Sequence, residues 1–209
     1  ASGWSAIDPR HAMGMRRYLA TLPPEGAHGR VLRYCSPNSD LLGWVLERAT
    51  GQAYADLLSD LLWSRIGAEE DAYIAVDGYG SARASGGLCT TTRDLARLGQ
   101  MVLDLGQVDG EEVVPAAWIG DILKGGDPSI WRGGSYDGDL PDTHYRSLWY
   151  THGDDVHAIA GMGIYGQALY VHPASRTVIA KHSSQPAPLD YGLVRMQRAA
   201  FEAIAQGLA

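Results

Sequence analysis

Helical and strand-like periodicities occupy different parts of this chain, and that order most constrains its fold. Leu41, Leu42, Val45, Leu46 and Ala49 recur at helical spacing after Ser36-Pro37, and Gly51 ends the run. Ser36 is a suitable N-cap, Pro37 fits the first helical position, and Asp40 lies in the first turn. Residues 54–66 predict a second helix, with Leu57, Leu58, Leu61 and Leu62 on its apolar side. Thr91 or Thr92 caps a third, with Leu95, Leu98, Val102 and Leu105 inward and Gly106 at its end. Residues 11–22 and 116–123 predict shorter helices, and residues 72–76 a short strand. Residues 124–142 form a long Gly/Asp/Ser stretch that predicts a loop. Beyond it, residues 147–151, 167–172 and 177–182 predict strands, and residues 191–206 a closing helix. Helices, then a strand meander, then a terminal helix predict an α+β fold, an antiparallel sheet flanked by helices. No repeat or linker splits residues 1–209.

Charge narrows the partners. A formal net charge of -7, with no run of Lys or Arg, argues against nucleic acid and against a polybasic membrane anchor. No apolar run reaches the length of a membrane-spanning helix. Cys35 and Cys89 are too few for a disulfide framework and are expected to be small buried thiols, which points to a reducing cytoplasm.

Two segments invite a chemical reading. Tyr34 stands just before a helix start, near partial positive charge. A phenol titrates at about 10, so it serves as a base only when a cation stabilises it or when it relays a proton. The competing reading is a core tyrosine bonded to backbone. Gly161-Met162-Gly163-Ile164-Tyr165-Gly166-Gln167 leads into a strand, where an exposed amide could donate to an oxyanion. Its competing reading is a glycine-rich hairpin turn. His152, Asp154, Asp155 and His157 are zinc-ligand types, but their spacing fits no metal motif and suits a solvated turn. His182 and Ser183 are adjacent on a strand and point to opposite faces, so they form no catalytic pair.

Tyr34-Cys35-Ser36 with Asn38 and Asp40, Ser85-Gly86-Gly87 ahead of Thr91-Thr92-Arg93-Asp94-Leu95-Ala96-Arg97, and Gly163-Ile164 with Gly166-Gln167 follow one another in a meaningful order. Together they resemble the second half of the β-lactamase-related serine hydrolases: class C β-lactamases, family VIII esterases and D-Ala-D-Ala peptidases. The resemblance runs from Gly3-Trp4 to the final helix. It implies a β-lactamase/transpeptidase-like fold, of which this chain holds the C-terminal portion. It also implies attack on a carbonyl by the Ser of a Ser-x-x-Lys, giving an acyl-enzyme. Tyr34 matches the tyrosine that manages protons with that lysine. Ser36 stands where class C enzymes have Asn and would orient the lysine or the substrate. Ile164 matches the residue whose backbone N–H forms half of the oxyanion hole. Ser85, Trp149 and Gly163 would line the substrate cleft. No metal or organic cofactor is implied.

Two departures shape the expectation. The chain has only Lys124 and Lys181, with Asp121 and Val178 three residues before them, so it contains no Ser-x-x-Lys. The nucleophile is therefore expected in an N-terminal segment, and this chain alone is expected to be inert. Gly161-Met162-Gly163 stands where β-lactamases have Lys-Thr-Gly or His-Thr-Gly. Without that cationic clamp for a β-lactam carboxylate, small esters or short linear amides are the expected substrates. The rival expectation is a non-catalytic binding or scaffold domain of the same fold, with a complete core and no exposed apolar face.

Overall fold

The computed structural model describes residues 13–152 and 158–208. A short helix α1 (Met15–Leu19) leads to α2 (Ser36–Thr50) and α3 (Tyr54–Leu61), and a single 3-10 turn, Trp63–Arg65, follows. A small hairpin of β1 (Tyr73–Ile74) and β2 (Leu88–Cys89) precedes α4 (Thr92–Leu103). A second small hairpin pairs β3 (Gln107–Val108) with β4 (Glu111–Glu112) ahead of α5 (Ala116–Leu123) and α6 (Pro128–Trp131). Then come β5 (Thr143–Arg146), β6 (Trp149–His152), β7 (Ala158–Gly163), β8 (Gln167–His172) and β9 (Thr177–Lys181). These make one 5-stranded antiparallel meander in sequence order, and α7 (Tyr191–Gly207) closes the chain.

Alternation along the strands builds the core. Ile159 and Val171 point to one face of the sheet and pack with Met101, Val102 and Leu103 of α4 and with Ile119 and Ile122 of α5. Ala158, Ala160, Ala168 and Tyr170 point to the other face, against Phe201 and Ala205 of α7. Ile159 and Val171 are fully buried, and each such side chain is worth about 1.5–3 kcal/mol. The sheet thus lies between α4/α5 and α7, and the expected α+β layering is present. Gly99 lets α4 approach the sheet closely. A Cβ there would stand 2.5 Å from Val178 Cγ1 and 2.8 Å from Leu169 Cδ1.

Asp94 fixes the start of α4. Thr91 Oγ accepts from Asp94 N at 3.1 Å and donates to its carboxylate at 2.7 Å. The same carboxylate accepts from Glu69 N at 2.9 Å and from Arg97 at 2.7 Å. Bonding to the Glu69 amide, then to Thr91, holds its pKa below the ordinary 3.8.

Several expectations need correction. Helical spacing predicts Leu41, Leu42, Val45 and Leu46 inward, yet each is 42–52% exposed or close to it, at 42%, 51%, 52% and 43%. The face that packs is Asp40 and Gly43, the buried residues of α2. Cys35, in extended backbone, occupies the N-cap position assigned to Ser36, and Ser36 is the first helical residue. Residues 124–142 are no plain loop: Asp127 caps α6 by accepting from Ser129 N at 2.8 Å, and Trp131 and Leu140 are buried. Strands β5 and β7 lack the β-branched runs that mark a strand in sequence; Gly and Ala fill β7. Cys35 and Cys89 are exposed free thiols rather than buried ones. Asp154, Asp155 and His157 lie outside the described residues.

Two outcomes follow from this packing. Gly99→Val should lower unfolding stability by about 1–3 kcal/mol through overpacking, read from the urea midpoint; an unshifted midpoint contradicts the close α4–sheet contact. The depressed Asp94 pKa contributes stability that is present above about pH 4 and lost as pH falls through the folded-state value. Asp94→Asn should therefore flatten the acid limb of the stability–pH curve.

Candidate active site

Tyr34 sits in the short link before α2, and that link is laid along residues 130–135. Leu32 N donates to Ile130 O at 2.8 Å, and Ser135 N donates to Leu32 O at 3.0 Å. Tyr34 N donates to Ser135 Oγ at 2.9 Å. The support beneath is aromatic: Trp131, Leu140 and Tyr150 form a buried cluster against which Leu32, Tyr136, Tyr145 and Tyr191 pack. Tyr34 and Tyr136 lie with ring centroids 5.5 Å apart, and Tyr145 and Tyr150 with centroids 4.8 Å apart. Within this crowd Tyr34 is the exposed member, at 43%.

The crowding sets protonation. Burial first, and the neighbouring Tyr34 second, push Tyr136 and Tyr145 up to about 12. Burial raises Tyr150 further still. These phenols stay neutral through the physiological range and remain available as donors around the exposed Tyr34.

An open pocket of about 140 Å³ lies here, lined by Leu32, Tyr34, Cys35, Ser36, Tyr145 and Leu148 among others. Tyr34 and Ser36 both line it. Ser85, Gly163, Ile164 and Trp149 do not line this pocket. Trp149 instead packs, half-buried, on the main core; its neighbour Leu148 is the residue of that turn which reaches the pocket.

Ser85 is tied to the other end of the same helix face. Ser36, Asp40 and Gly43 recur at i, i+4 and i+7, so they stand on one side of α2. Asp40 accepts from Ser85 N at 2.8 Å and from Ser85 Oγ at 2.9 Å. A Cβ on Gly43 would meet Ala84 Cβ at 2.7 Å, so glycine is what lets this segment close on the helix. Burial, then the charge of Asp40, raises the Tyr54 phenol above its ordinary 10.0. Asp40 is the residue whose importance the sequence pattern understates: first-turn placement suggests a dipole contact, and the structure gives a buried clamp.

Ile164 stands at the corner between β7 and β8, 60% exposed. The next residue, Tyr165, takes a left-handed conformation, φ 59 and ψ 22, which costs a non-glycine residue about 1–2 kcal/mol. Surrounding bonds hold it. Tyr165 N donates to Pro188 O at 2.9 Å, and Gln185 N donates to Tyr165 O at 3.1 Å. Lys181 Nζ donates to Gly166 O and to Gln197 Oε1, each at 2.8 Å. Gly163 is also crowded: a Cβ there would stand 2.9 Å from Gln167 Cβ. The corner thus carries the exposed Ile164 next to a turn held by these bonds. Among the described residues no group of His, Cys, Asp and Glu is arranged to hold a metal, and no helix is long and apolar enough to cross a membrane.

The raised phenols are open to direct reading. Tyrosine ionisation followed at 295 nm should show a fraction that stays protonated past pH 11 in the folded protein and titrates near 10 when unfolded. Tyr136→Phe should shrink that fraction. The linked stability is present below about pH 10 and lost as pH rises through about 12. A single normal transition for all tyrosines contradicts the buried cluster.

Comparison with known proteins places this chain in a family. The sequence model of the Beta-lactamase family matches residues 2–203. The chain is 37% identical over 188 residues to the 6-aminohexanoate-dimer hydrolase of Paenarthrobacter ureafaciens, covering 90% of this chain and 48% of that protein. A solved structure from Bacillus anthracis, named as a 6-aminohexanoate-dimer hydrolase, superposes with a TM-score of 0.84 at 29% identity, covering 94% of this chain and 49% of that one. A Bacteroides dorei structure named as a β-lactamase, 15% identical, covers 88% of this chain and 62% of that one; its TM-score of 0.63 supports the fold alone. The chain therefore has a β-lactamase/transpeptidase-like fold and spans about half the length of the first two relatives.

Proposed function

The chain belongs to the Beta-lactamase family, a hydrolase family, and from that premise we propose that it is the C-terminal portion of a serine hydrolase that cleaves small amides or esters through an acyl-enzyme. The nucleophile is the serine of a Ser-x-x-Lys in an N-terminal segment. That serine attacks the carbonyl, and its developing oxyanion is met by the Ile164 N–H. Tyr34, beside the pocket, passes the proton from the attacking hydroxyl to the leaving group and reverses the transfer when water deacylates. Ser36 orients the lysine or the substrate, and Ser85 with Gly163 borders the cleft. The relatives named 6-aminohexanoate-dimer hydrolase support a linear amide as substrate class.

The observation that carries this reading is the pairing of Tyr34 and Ser36 in one open pocket, with an exposed apolar stripe on the helix they begin. Leu41, Leu42, Val45 and Leu46 expose a surface of the kind that soluble domains cover. We assign its cover to the segment carrying Ser-x-x-Lys, which brings nucleophile and Tyr34 to one place. A self-contained scaffold domain would close that surface, so the stripe weighs against the rival reading. The exposed thiols Cys35 and Cys89 suit a reducing cytoplasm. The net charge of -7 and the small pocket fit a small neutral or cationic substrate, with neither nucleic acid nor a membrane as partner.

The test uses the complete polypeptide containing Ser-x-x-Lys, with short amide and ester substrates. Tyr34→Phe should lower kcat by about 100-fold or more, the usual scale for losing a general acid/base, while KM moves only a few-fold. An unchanged kcat removes Tyr34 from the mechanism. Intact-mass spectra of the quenched reaction should show an acyl adduct on the N-terminal segment, and no adduct in a preparation of the 209-residue chain alone.

A further inference from the structure

The turn between β5 and β6 puts a leucine where the backbone favours glycine. Arg146 pairs with Trp149 across the two strands, so Ser147 and Leu148 alone make the connection. Both have positive φ, 49° and 71°. A two-residue hairpin turn that is left-handed at both centres matches the twist of its strands, but it prefers Asn-Gly or Gly-Gly. In that conformation a Cβ crowds the following carbonyl oxygen, and a bulky residue there is an outlier. An alkyl side chain makes no hydrogen bond that could offset the strain.

Packing does not account for the leucine either. Leu148 is 54% exposed and belongs to none of the buried clusters. Its neighbour Trp149 is the residue that packs on the main core. What Leu148 does meet is the open pocket of about 140 Å³ that Tyr34 lines. Leu32, seated on the aromatic cluster, supplies a second aliphatic side chain to that pocket, while Ser36 and Asn38 supply polar ones. Backbone strain persists where the surrounding structure holds a side chain in a place that function requires.

We propose that Leu148 is a specificity-determining residue: the strained turn holds its side chain as an apolar wall of the substrate pocket, and that wall favours substrates whose reacting carbonyl carries an unbranched aliphatic chain. The proposal rests on the hydrolase reading above, in which this pocket takes substrate, and it adds the residue that chooses among acyl chains. Leu148 acts by removing methylene groups from water, not by contact with the reacting atoms. Each methylene so covered raises kcat/KM by about 2- to 4-fold, the scale of its transfer from water.

Three variants separate the side chain from the strain. Leu148→Ala deletes the wall but keeps the Cβ that a left-handed backbone resists. Leu148→Gly removes both. Leu148→Met restores an apolar side chain of similar volume.

The experiment measures kcat/KM in the complete polypeptide for acetyl, butanoyl and hexanoyl substrates with one leaving group, prepared as amides and as esters. The readout is the hexanoyl-to-acetyl ratio, which a loss of active enzyme does not move. The parent ratio should be about 10-fold or more. Leu148→Ala and Leu148→Gly should each lower it at least threefold, and Leu148→Met should keep it. Thermal unfolding of the same preparations should give Leu148→Gly a midpoint about 1–3 °C above that of Leu148→Ala, because only glycine relieves the turn. A parent ratio near one, or a smaller change in both truncations, overturns the proposal and leaves the hydrolase reading in place. A Leu148→Gly midpoint at or below that of Leu148→Ala removes the strain on which the proposal stands and overturns it as well. A parent polypeptide that cleaves no member of the series overturns the hydrolase reading, and this proposal with it.

Discussion

The close contact of α2 with residues 84–85 is the constraint on which the candidate site depends. It has two parts, a glycine and a buried carboxylate. Gly43 removes the side chain that would collide with Ala84. Asp40 then finds both of its hydrogen-bond donors on Ser85. A buried carboxylate without partners would cost several kcal/mol, so the segment cannot drift away from the helix without exposing that penalty. Because Ser36 shares the face with Asp40 and Gly43, the same contact sets the rotation of the helix about its axis. Ser36 is thereby turned toward the pocket beside Tyr34, and the apolar residues 41, 42, 45 and 46 are turned outward.

That rotation explains where sequence patterns inform and where they mislead. Helical periodicity locates α2 well, since Pro37 and Gly51 mark its ends and propensity does the rest. It misjudges the inward face, because apolar spacing says only that one side seeks cover, not which element provides it. In α4 the same logic succeeds for Val102, because the sheet that covers it lies within the chain, but fails for Leu105, which stands past the end of the helix and is 47% exposed. Strands β8 and β9 announce themselves through Val, Ile, Leu and Tyr. Strand β7 does not, because Ala158, Ala160 and Gly161 trade side-chain bulk for close approach, the two alanines to α7.

The site shows a similar division. Tyr34, Ser36 and Ile164 were legible as a resemblance, and the structure gives Tyr34 and Ser36 a shared pocket and Ile164 an exposed corner. Trp149 illustrates the limit: a tryptophan beside a turn suits a cleft wall by composition, yet strand alternation sends it to the core and leaves the pocket to Leu148. Asp40 illustrates the converse. Its partner is 45 residues away in sequence, and no local pattern signals a contact of that span.

The two chain segments proposed to act on substrate are referenced to one rigid frame. Tyr34 is bonded through Ser135 to the segment carrying Trp131 and Leu140, and those residues pack on Tyr150 of β6. Ile164 ends β7, and Tyr150 of β6 pairs directly with Ala160 of β7. Tyr34 and Ile164 are therefore referenced to adjacent strands of the same sheet, with the left-handed turn at Tyr165 held by Lys181, Gln185 and Pro188. Catalysis by positioning requires groups fixed to within a fraction of an ångström before substrate arrives. Hydrogen bonds within the chain hold the backbone at Tyr34 and at Tyr165, the neighbour of Ile164. The apolar residues 41, 42, 45 and 46 that α2 leaves exposed follow Tyr34 along the same segment, on the face that the proposed nucleophile-bearing segment would cover.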